Sequence, residues 1–414
     1  MPTTEVRKVR EEEFDQWCDA IDVGFYAPHR RGDGPQRRRW FEIDRCWGAF
    51  SDGKPVGTYR GLRLELTVPG GAVVPVDGIS SVTVSAAHRR QGLLSRMMAA
   101  ELAEAAARGE SMAALIAAEW PIYGRFGFGP AADSADWHLD ARAARFAVDL
   151  PGTVELVDRE TARGLAPAVY DRFRRLHPGC VDRADYRWDV SLDILRAEGK
   201  EAPKEELYAL CRDADGTPVG FARYKFGPEK ELFVRQRPAG KILVQDIFGV
   251  DPYYEARLWK YLADHDWVTE VSTEDLLGSS DPLWRELLVD RRAAWSSDAW
   301  EGQWLRILDP VAALTARTYE TAGRIVLRVT DKDGYADGTF ALETAADGTA
   351  GCAATAEAPE VTLPAAVLAS VYLGGFTADR YHRTGRMEEH APGAVQRLTA
   401  LFRTVETPYN VTIY

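Results

Sequence analysis

The sequence predicts an α/β (α+β) protein of several domains, and three observations carry that prediction. Its 414 residues exceed what one hydrophobic core usually holds, since domains run to roughly 100–200 residues. Short β-rich runs alternate with amphipathic helical stretches in the first third, and the same order of elements restarts near Val154. Asp-Gly pairs at 52–53, 215–216 and 333–334 each join two apolar runs, which is the signal of a two-residue hairpin.

Taken in order, a helix is expected over Glu11–Gly24, then a loop rich in arginine, glycine and proline over Tyr26–Gln36. Strands Cys46–Phe50 and Lys54–Thr67 flank Asp52-Gly53, and Gly70-Gly71 turns the chain into Val73–Val76. Strand Gly78–Val84 leads through Ser85–Gly92 to a helix at Leu93–Arg108. Leu94, Met98, Leu102 and Ala105 recur there at helical spacing, and Gly109 stops it. A buried strand, Ala113–Ala118, and a glycine-rich turn-and-helix, Ile122–Pro130, close the first unit.

In the second unit, helices near Ala162–Leu176 and Ala184–Ala197 precede a hairpin, Glu206–Arg212 with Pro218–Tyr224. Strand Ile242–Gly249 and helix Tyr254–Asp264 follow. Between them stands Asp251-Pro252-Tyr253-Tyr254, acidic and proline-blocked where open backbone amides would be needed, so no nucleotide site is expected in this copy. Six of the twelve tryptophans fall between residues 259 and 304, a clustering expected of inter-domain or subunit packing. The last hundred residues change again. Helix Asp309–Ala316, strands Arg324–Thr330, Gly338–Glu343 and Gly351–Thr355, helices Leu363–Leu373 and Ala391–Leu401, and a strand-like tail over Tyr409–Tyr414 are expected.

Composition narrows the function. Apolar residues at 46% and charged residues at 28% describe an ordinary globular chain. No run approaches the roughly 20 apolar residues of a bilayer span, and the charged start Met1–Phe14 lacks a secretory signal, so a cytoplasmic protein without a membrane partner is expected. With 51 basic against 63 acidic residues the net charge is −12, which repels nucleic acid and favours cationic partners such as amines. Five scattered cysteines, Cys18, Cys46, Cys180, Cys211 and Cys352, make neither a disulfide framework nor a zinc site, so free, mostly buried thiols and no metal are expected.

The chemistry concentrates in Val82-Thr83-Val84-Ser85-Ala86-Ala87-His88-Arg89-Arg90-Gln91-Gly92-Leu93-Leu94. A strand delivers the backbone to a short turn in which Gly92, lacking a Cβ, lets phosphates approach the main chain. The helix that follows offers unpaired first-turn amides and the positive end of its dipole, and Arg89 and Arg90 add charge-assisted donors. That arrangement suits a pyrophosphate. No G-x-x-x-x-G-K-[ST] occurs, and Gly124-Arg125-Phe126-Gly127-Phe128-Gly129 has the wrong glycine spacing for a dinucleotide fingerprint.

About thirty residues on, Ile122-Tyr123-Gly124-Arg125-Phe126-Gly127-Phe128-Gly129-Pro130-Ala131 follows the next strand. The two motifs in this order resemble the GNAT acetyltransferases, and specifically the Eis (enhanced intracellular survival) type of bacterial N-acetyltransferase. Val371-Tyr372-Leu373-Gly374-Gly375 and the aromatic last residue extend the resemblance over essentially the whole chain. It implies an N-terminal GNAT domain over 1–140 that binds acetyl-CoA, a second GNAT-like domain without cofactor over 141–305, and a sterol-carrier-protein-like domain over 306–414. It also implies a homohexamer that moves acetyl from acetyl-CoA to amines of a cationic, aminoglycoside- or polyamine-like molecule. By the same resemblance Val82, Thr83, Val84, Arg90, Gln91, Gly92, Leu93, Leu94, Ser95, Ala118 and Glu119 contact the cofactor. Tyr123 is the acid that protonates the departing thiolate, and the terminal carboxylate, on Tyr414, takes the proton from the amine.

The residue types suit that reaction. An amine with a pKa of roughly 10 must lose a proton before it attacks, and a carboxylate can accept it. Freed strand amides can polarise a thioester oxygen. Two rival functions are a CoA-sensing or apolar-ligand-binding protein without turnover, and an acetyltransferase of protein lysines. Trp120-Pro121 is expected to narrow the amine pocket, and Glu301 is a candidate acidic wall. Arg30, Arg31, Arg37, Arg38 and Arg39 read as a solvated loop, with a lid at the substrate entrance as the functional alternative. His88 reads as a turn residue.

Overall fold

A computed structural model describes residues 4–27, 32–195, 206–228, 231–273 and 278–414. Its strands are β1 (Glu5–Lys8), β2 (Cys46–Ser51), β3 (Lys54–Thr67), β4 (Val73–Val84), β5 (Met112–Leu115), β6 (Gly129–Asp140), β7 (Thr153–Val157), β8 (Glu206–Arg212) and β9 (Pro218–Phe226). A two-residue ribbon, β10 (Phe233–Val234) with β11 (Arg237–Pro238), precedes β12 (Gly240–Gly249), β13 (Val268–Thr273) and β14 (Ala294–Ile307). The last region adds β15 (Gly323–Thr330), β16 (Gly338–Thr344), β17 (Ala350–Ala354), β18 (Val361–Pro364) and β19 (Glu388–Glu389). The helices are α1 (Phe14–Gly24), α2 (Gly34–Arg37), α3 (Leu93–Ala107), α4 (Trp120–Tyr123), α5 (Arg159–Leu176), α6 (Asp185–Ser191), α7 (Pro252–Ala263), α8 (Pro310–Ala316), α9 (Ala365–Tyr372), α10 (Ala378–Arg383) and α11 (Ala394–Phe402).

One twelve-stranded sheet runs β1-β2-β3-β4-β5-β14-β6-β13-β12-β9-β8-β7, and a five-stranded sheet, β17-β16-β15-β18-β19, belongs to the last region. The hairpins at Asp52-Gly53 and Asp215-Gly216 form in the large sheet, and Asp333-Gly334 lies in the connection between β15 and β16. β5 does not pair with β6: β14, arriving from the end of the second unit, pairs with both. α9 is buried along its whole length and packs on β6 and β14, which seats the last region on the centre of the sheet. A Cβ at Gly129 would stand 2.0 Å from the Ala366 carbonyl, so the glycine is what allows that approach.

Several expectations meet the structure with differences. Val73–Val76 and Gly78–Val84 are one strand, because Gly78 packs its bare face under Leu64 rather than breaking the run. β6, β7, β13 and β14 were not expected, and Ala184–Ala197 is helical only over Asp185–Ser191 within the described residues. The Tyr409–Tyr414 tail is extended but joins no sheet, since side chains rather than a partner strand hold it. Trp259 and Trp284 stack at 4.5 Å inside the second unit's own core, whereas Trp267 and Trp295 are exposed, so the tryptophans do not form one interface. The five cysteines are free, four buried and Cys352 half-buried. No helix among the described residues is long and apolar enough to cross a membrane.

Candidate functional site

The site is built on a defect in β4. Thr58 of β3 pairs with Thr83 and Arg60 with Ser80, so Ser81 and Val82 together oppose Tyr59. Ser81 takes a left-handed φ of 55°, and the resulting bulge re-aims the rest of the strand. Thr58, fully buried, braces it: its hydroxyl donates to the Ser81 carbonyl at 2.7 Å and lies 2.7 Å from the Thr83 hydroxyl.

β5 runs beside β4 only from Val76 to Ile79. Beyond Ile79 the strands part and open a cavity of about 630 Å³. Its wall holds Val82, Thr83, Val84, Arg90, Gly92, Leu93, Leu94, Ser95, Ala118, Glu119 and Tyr123, together with His88. Gln91 stands exposed at the turn, outside that wall. His88 closes a 3-10 turn, Ala86–His88, as its position before the arginines suggested.

The turn into α3 is the part of this cavity whose geometry could receive an anion. Arg90 and Gly92 both adopt left-handed backbone, at φ 64° and 73°, a conformation that costs a non-glycine residue roughly 1–2 kcal/mol. A Cβ at Gly92 would meet nothing within 4 Å, so its open face is available to a ligand. No side chain caps α3, which leaves its first-turn amides and the positive end of its dipole directed at the cavity. Met97, Met98, Leu102 and Ala105 bury the helix in the core, while Leu93 and Leu94 at its start both line the cavity and pack against that core. Uncapped amides, an unobstructed glycine and two arginines fit the diphosphate of CoA. The second unit lacks this arrangement. α7 begins with Pro252, and the Asp251 carboxylate already accepts from the Tyr253 amide at 2.8 Å.

Tyr123 ends α4 with only 7% of its surface exposed. Burial, and then the charge of Glu119, push its phenol up to about 12, so it keeps its proton at neutral pH. Trp120 packs edge-on against Trp304 at 4.9 Å and lines neither this cavity nor its neighbour.

A second cavity of about 640 Å³ faces the preceding stretch of β4, Ser80 and Ser81. The end of α1, the segment Arg37–Phe41, α6 and the tail enclose it, and Phe25 lines both cavities, which therefore meet at the bulge. Arg37 is tied to Asp22 at 2.7 Å and Arg38 is bound to Glu11, while Arg30 and Arg31 lie outside the described residues. Glu301 is not on this wall.

The tail reaches the bulge through side-chain hydrogen bonds. Arg183 donates to the Thr412 hydroxyl at 2.8 Å and to the Val411 carbonyl at 2.7 Å, and Arg187 to the Ile413 carbonyl at 2.7 Å. Tyr170 places its hydroxyl 2.7 Å from that of Thr412. At the end, Ser80 donates to a main-chain carboxylate oxygen of Tyr414 at 3.1 Å, and the Tyr414 phenol lies enclosed beside Gln303 with its pKa raised by burial. Phe25, Thr58, Ser80, Ser81, Arg183 and Arg187 escaped sequence reasoning. Only the paired serines within a β-branched strand hinted at a bulge.

Three stretches of the chain match known protein families. Residues 5–131 and 179–325 each match a family described as an acetyltransferase (GNAT) domain, and residues 310–411 match a sterol carrier protein domain. An uncharacterized N-acetyltransferase of Streptomyces avermitilis is 38% identical over 418 residues, covering 98% of this chain and 97% of that protein. N-acetyltransferase Eis of Mycobacterium tuberculosis is 36% identical over 366 residues, 86% of this chain and 85% of its own. The crystal structure of Eis1 from Mycobacterium abscessus superposes over 100% of both chains with a TM-score of 0.85 at 27% identity.

Proposed function

Since the chain belongs to the Eis-type GNAT N-acetyltransferases and is an acetyltransferase, we propose that it transfers acetyl from acetyl-CoA to a primary amine by direct attack, with both substrates bound together. One observation carries the reading: two cavities of similar size face successive stretches of one bulged strand and share Phe25. An amine in one and a thioester in the other would meet at the bulge without a covalent enzyme intermediate.

When bound, acetyl-CoA supplies the activated acetyl carbon. The first turn of α3, Arg90 and Gly92 hold its diphosphate, and Val82, Thr83, Val84, Ala118 and Glu119 line the path toward the bulge. Amides of β4 left without a β5 partner are placed to polarise a carbonyl oxygen. Tyr123 holds its proton at Oη for the departing sulfur, and its raised pKa keeps that proton available. The terminal carboxylate, on the residue that Ser80 anchors, is the base for the incoming ammonium. This reading extends to a homohexamer, testable by sedimentation against the 46.0 kDa chain mass.

Free-thiol release from acetyl-CoA, followed across a panel of amines with an untagged C-terminus, tests the proposal. Release that depends on the amine and falls when residues are appended after Tyr414 supports it. Tight acetyl-CoA binding without release for any amine would favour a sensor, and acetylation confined to protein lysines would favour the macromolecular acceptor.

A further inference from the structure

Away from both cavities, three side chains on neighbouring strands are linked in a row, and we propose that Ser297, His138 and Glu270 form a second, hydrolytic site that cleaves aryl esters of short carboxylic acids. This activity goes beyond acetyl transfer and does not rest on it.

The row crosses β14, β6 and β13, which lie side by side in the large sheet. The Ser297 hydroxyl on β14 is 2.9 Å from Nε2 of His138 on β6. Nδ1 of the same ring is 2.9 Å from Oε1 of Glu270 on β13. Lys241 of β12 holds the other oxygen of Glu270 at 3.1 Å. Burial alone would raise the pKa of the Glu270 carboxyl, but the bonds from His138 and Lys241 outweigh it and leave that pKa below its ordinary value. An ionised Glu270 can only accept, so Nδ1 carries the ring proton and Nε2 is left to accept from the Ser297 hydroxyl. In that tautomer a histidine acts as general base on a serine, with the carboxylate fixing the ring and stabilising the imidazolium that forms.

The surroundings suit an acyl group. The pairing of β14 with β6 steps between Ser296 and Ala299, so Ser297 and Asp298 together oppose Asp136. Such a bulge takes backbone groups out of the ladder and re-aims a side chain. On its other edge β14 pairs with β5 only over Trp304–Ile307, so the stretch around Ser297 meets no strand there among the described residues. Unpaired amides beside a nucleophile are the donors that a tetrahedral oxyanion calls for. Trp295, 42% exposed, stacks on the His138 ring at 5.2 Å and 7°. It keeps water from one face of the imidazole and extends a flat apolar surface beside Ser297, which suits an aromatic leaving group. His138 and Glu270 are 15% and 21% exposed, whereas Ser297 is open to solvent, so a short acyl chain reaches it without a tunnel. None of the three lines either cavity of the transferase site.

Water is the co-reactant. Ser297 Oγ bonds to the acyl carbon while its proton passes to Nε2 of His138. The bond from that carbon to the leaving oxygen then breaks, and the phenol departs with the proton. Water attacks the acyl-serine and gives a proton to Nε2. Ser297 takes that proton back as the carboxylic acid leaves.

Two measurements on the full chain test this: hydrolysis of p-nitrophenyl acetate, and labelling by a fluorophosphonate followed by peptide mass. The label should settle on Ser297. Ser297→Ala and His138→Gln should each abolish it and slow hydrolysis by about 100-fold or more, the scale of a positioned general base. Glu270→Gln should slow both reactions, because a neutral amide no longer holds the ring in the working tautomer. Saturating CoA should leave hydrolysis unchanged, since it occupies a different part of the molecule. If Ser297, His138 and Glu270 were only a surface clamp on the bulge, the variants would shift the unfolding temperature while Ser297 in the parent stayed unlabelled. An unlabelled Ser297, hydrolysis undiminished in Ser297→Ala, or hydrolysis blocked by CoA would each overturn the proposal. Labelling of the parent decides the matter even where a variant fails to fold.

Discussion

Nη2 of Arg306 lies 2.6 Å from Oδ2 of Asp331, and neither side chain reaches water. Arg306 belongs to β14 and Asp331 follows β15, so this pair fastens the central sheet to the last region. The same guanidinium closes over Gly127, where an added Cβ would stand 2.7 Å from Cζ. Gly127, at φ 79°, ends the turn that begins at Tyr123. Asp331→Ala would leave a buried cation unpaired and should cost about 3–5 kcal/mol. Urea unfolding measures it, and a loss below about 1 kcal/mol would mean that water replaces the carboxylate.

Tyr123→Phe removes one oxygen from a buried ring and little else. kcat should fall about 100-fold, the lower end of what a positioned acid contributes. The dissociation constant of acetyl-CoA should stay close to that of the parent, because the diphosphate site lies on α3. Undiminished kcat would remove Tyr123 from the proton path.

Gly92→Val tests the diphosphate turn. No atom of the protein obstructs the new side chain, but it would occupy a φ of 73° and the face on which a phosphate approaches. Stability should fall by about 1–2 kcal/mol and the KM for acetyl-CoA should rise by at least roughly 10-fold. A stability loss with an unaltered KM would show that the ligand passes elsewhere.

Thr58→Val keeps the shape of the buried side chain and deletes the hydroxyl that braces Ser81 and Thr83. Leaving those groups unsatisfied should cost about 1–3 kcal/mol and weaken acetyl-CoA binding through the same strand. Thermal unfolding alongside a CoA titration reads both. A variant as stable as the parent would show that the bulge holds itself.

Alkaline pH should unfold the protein cooperatively. Burial raises the pKa of the phenols of Tyr59, Tyr170, Tyr224 and Tyr372, whose ordinary value is 10.0. Each binds its proton more tightly folded than unfolded, so this stability is complete below pH 10 and is lost as pH rises beyond it. Circular dichroism and tyrosinate absorbance should change together. Tyrosinate appearing from these residues before the helices melt would contradict their burial.

Local chemistry was readable in the sequence and long-range pairing was not. Asp52-Gly53 forces a hairpin whatever surrounds it, and the run from Val82 to Gly92 needs only a strand before it and a helix after it. Asp251 and Pro252 announced a closed helix start by their own chemistry, and Asp251 does accept from Tyr253. β14 was hidden because its pairing depends on partners almost two hundred residues upstream, and because Trp295, Trp300 and Trp304 mask any clean alternation. β6 was hidden behind the glycines that open it. Side-chain pairing was equally invisible: among 42 arginines, only the folded contacts distinguish Arg37, which has Asp22, from Arg187, which has no ion-pair partner among the described residues.

The position of β14 also fixes an order of events during synthesis. β5 and β6 emerge early with a gap between them, and the strand that fills it ends at Ile307. Until the ribosome has passed that residue, two hydrogen-bonding edges of a nascent sheet stay bare, and bare edges pair with other chains. The sheet of the first half therefore stays incomplete until a segment translated long after it arrives. A fragment ending near residue 140 would inherit that exposed state permanently and should be recovered as aggregate rather than as a small working enzyme.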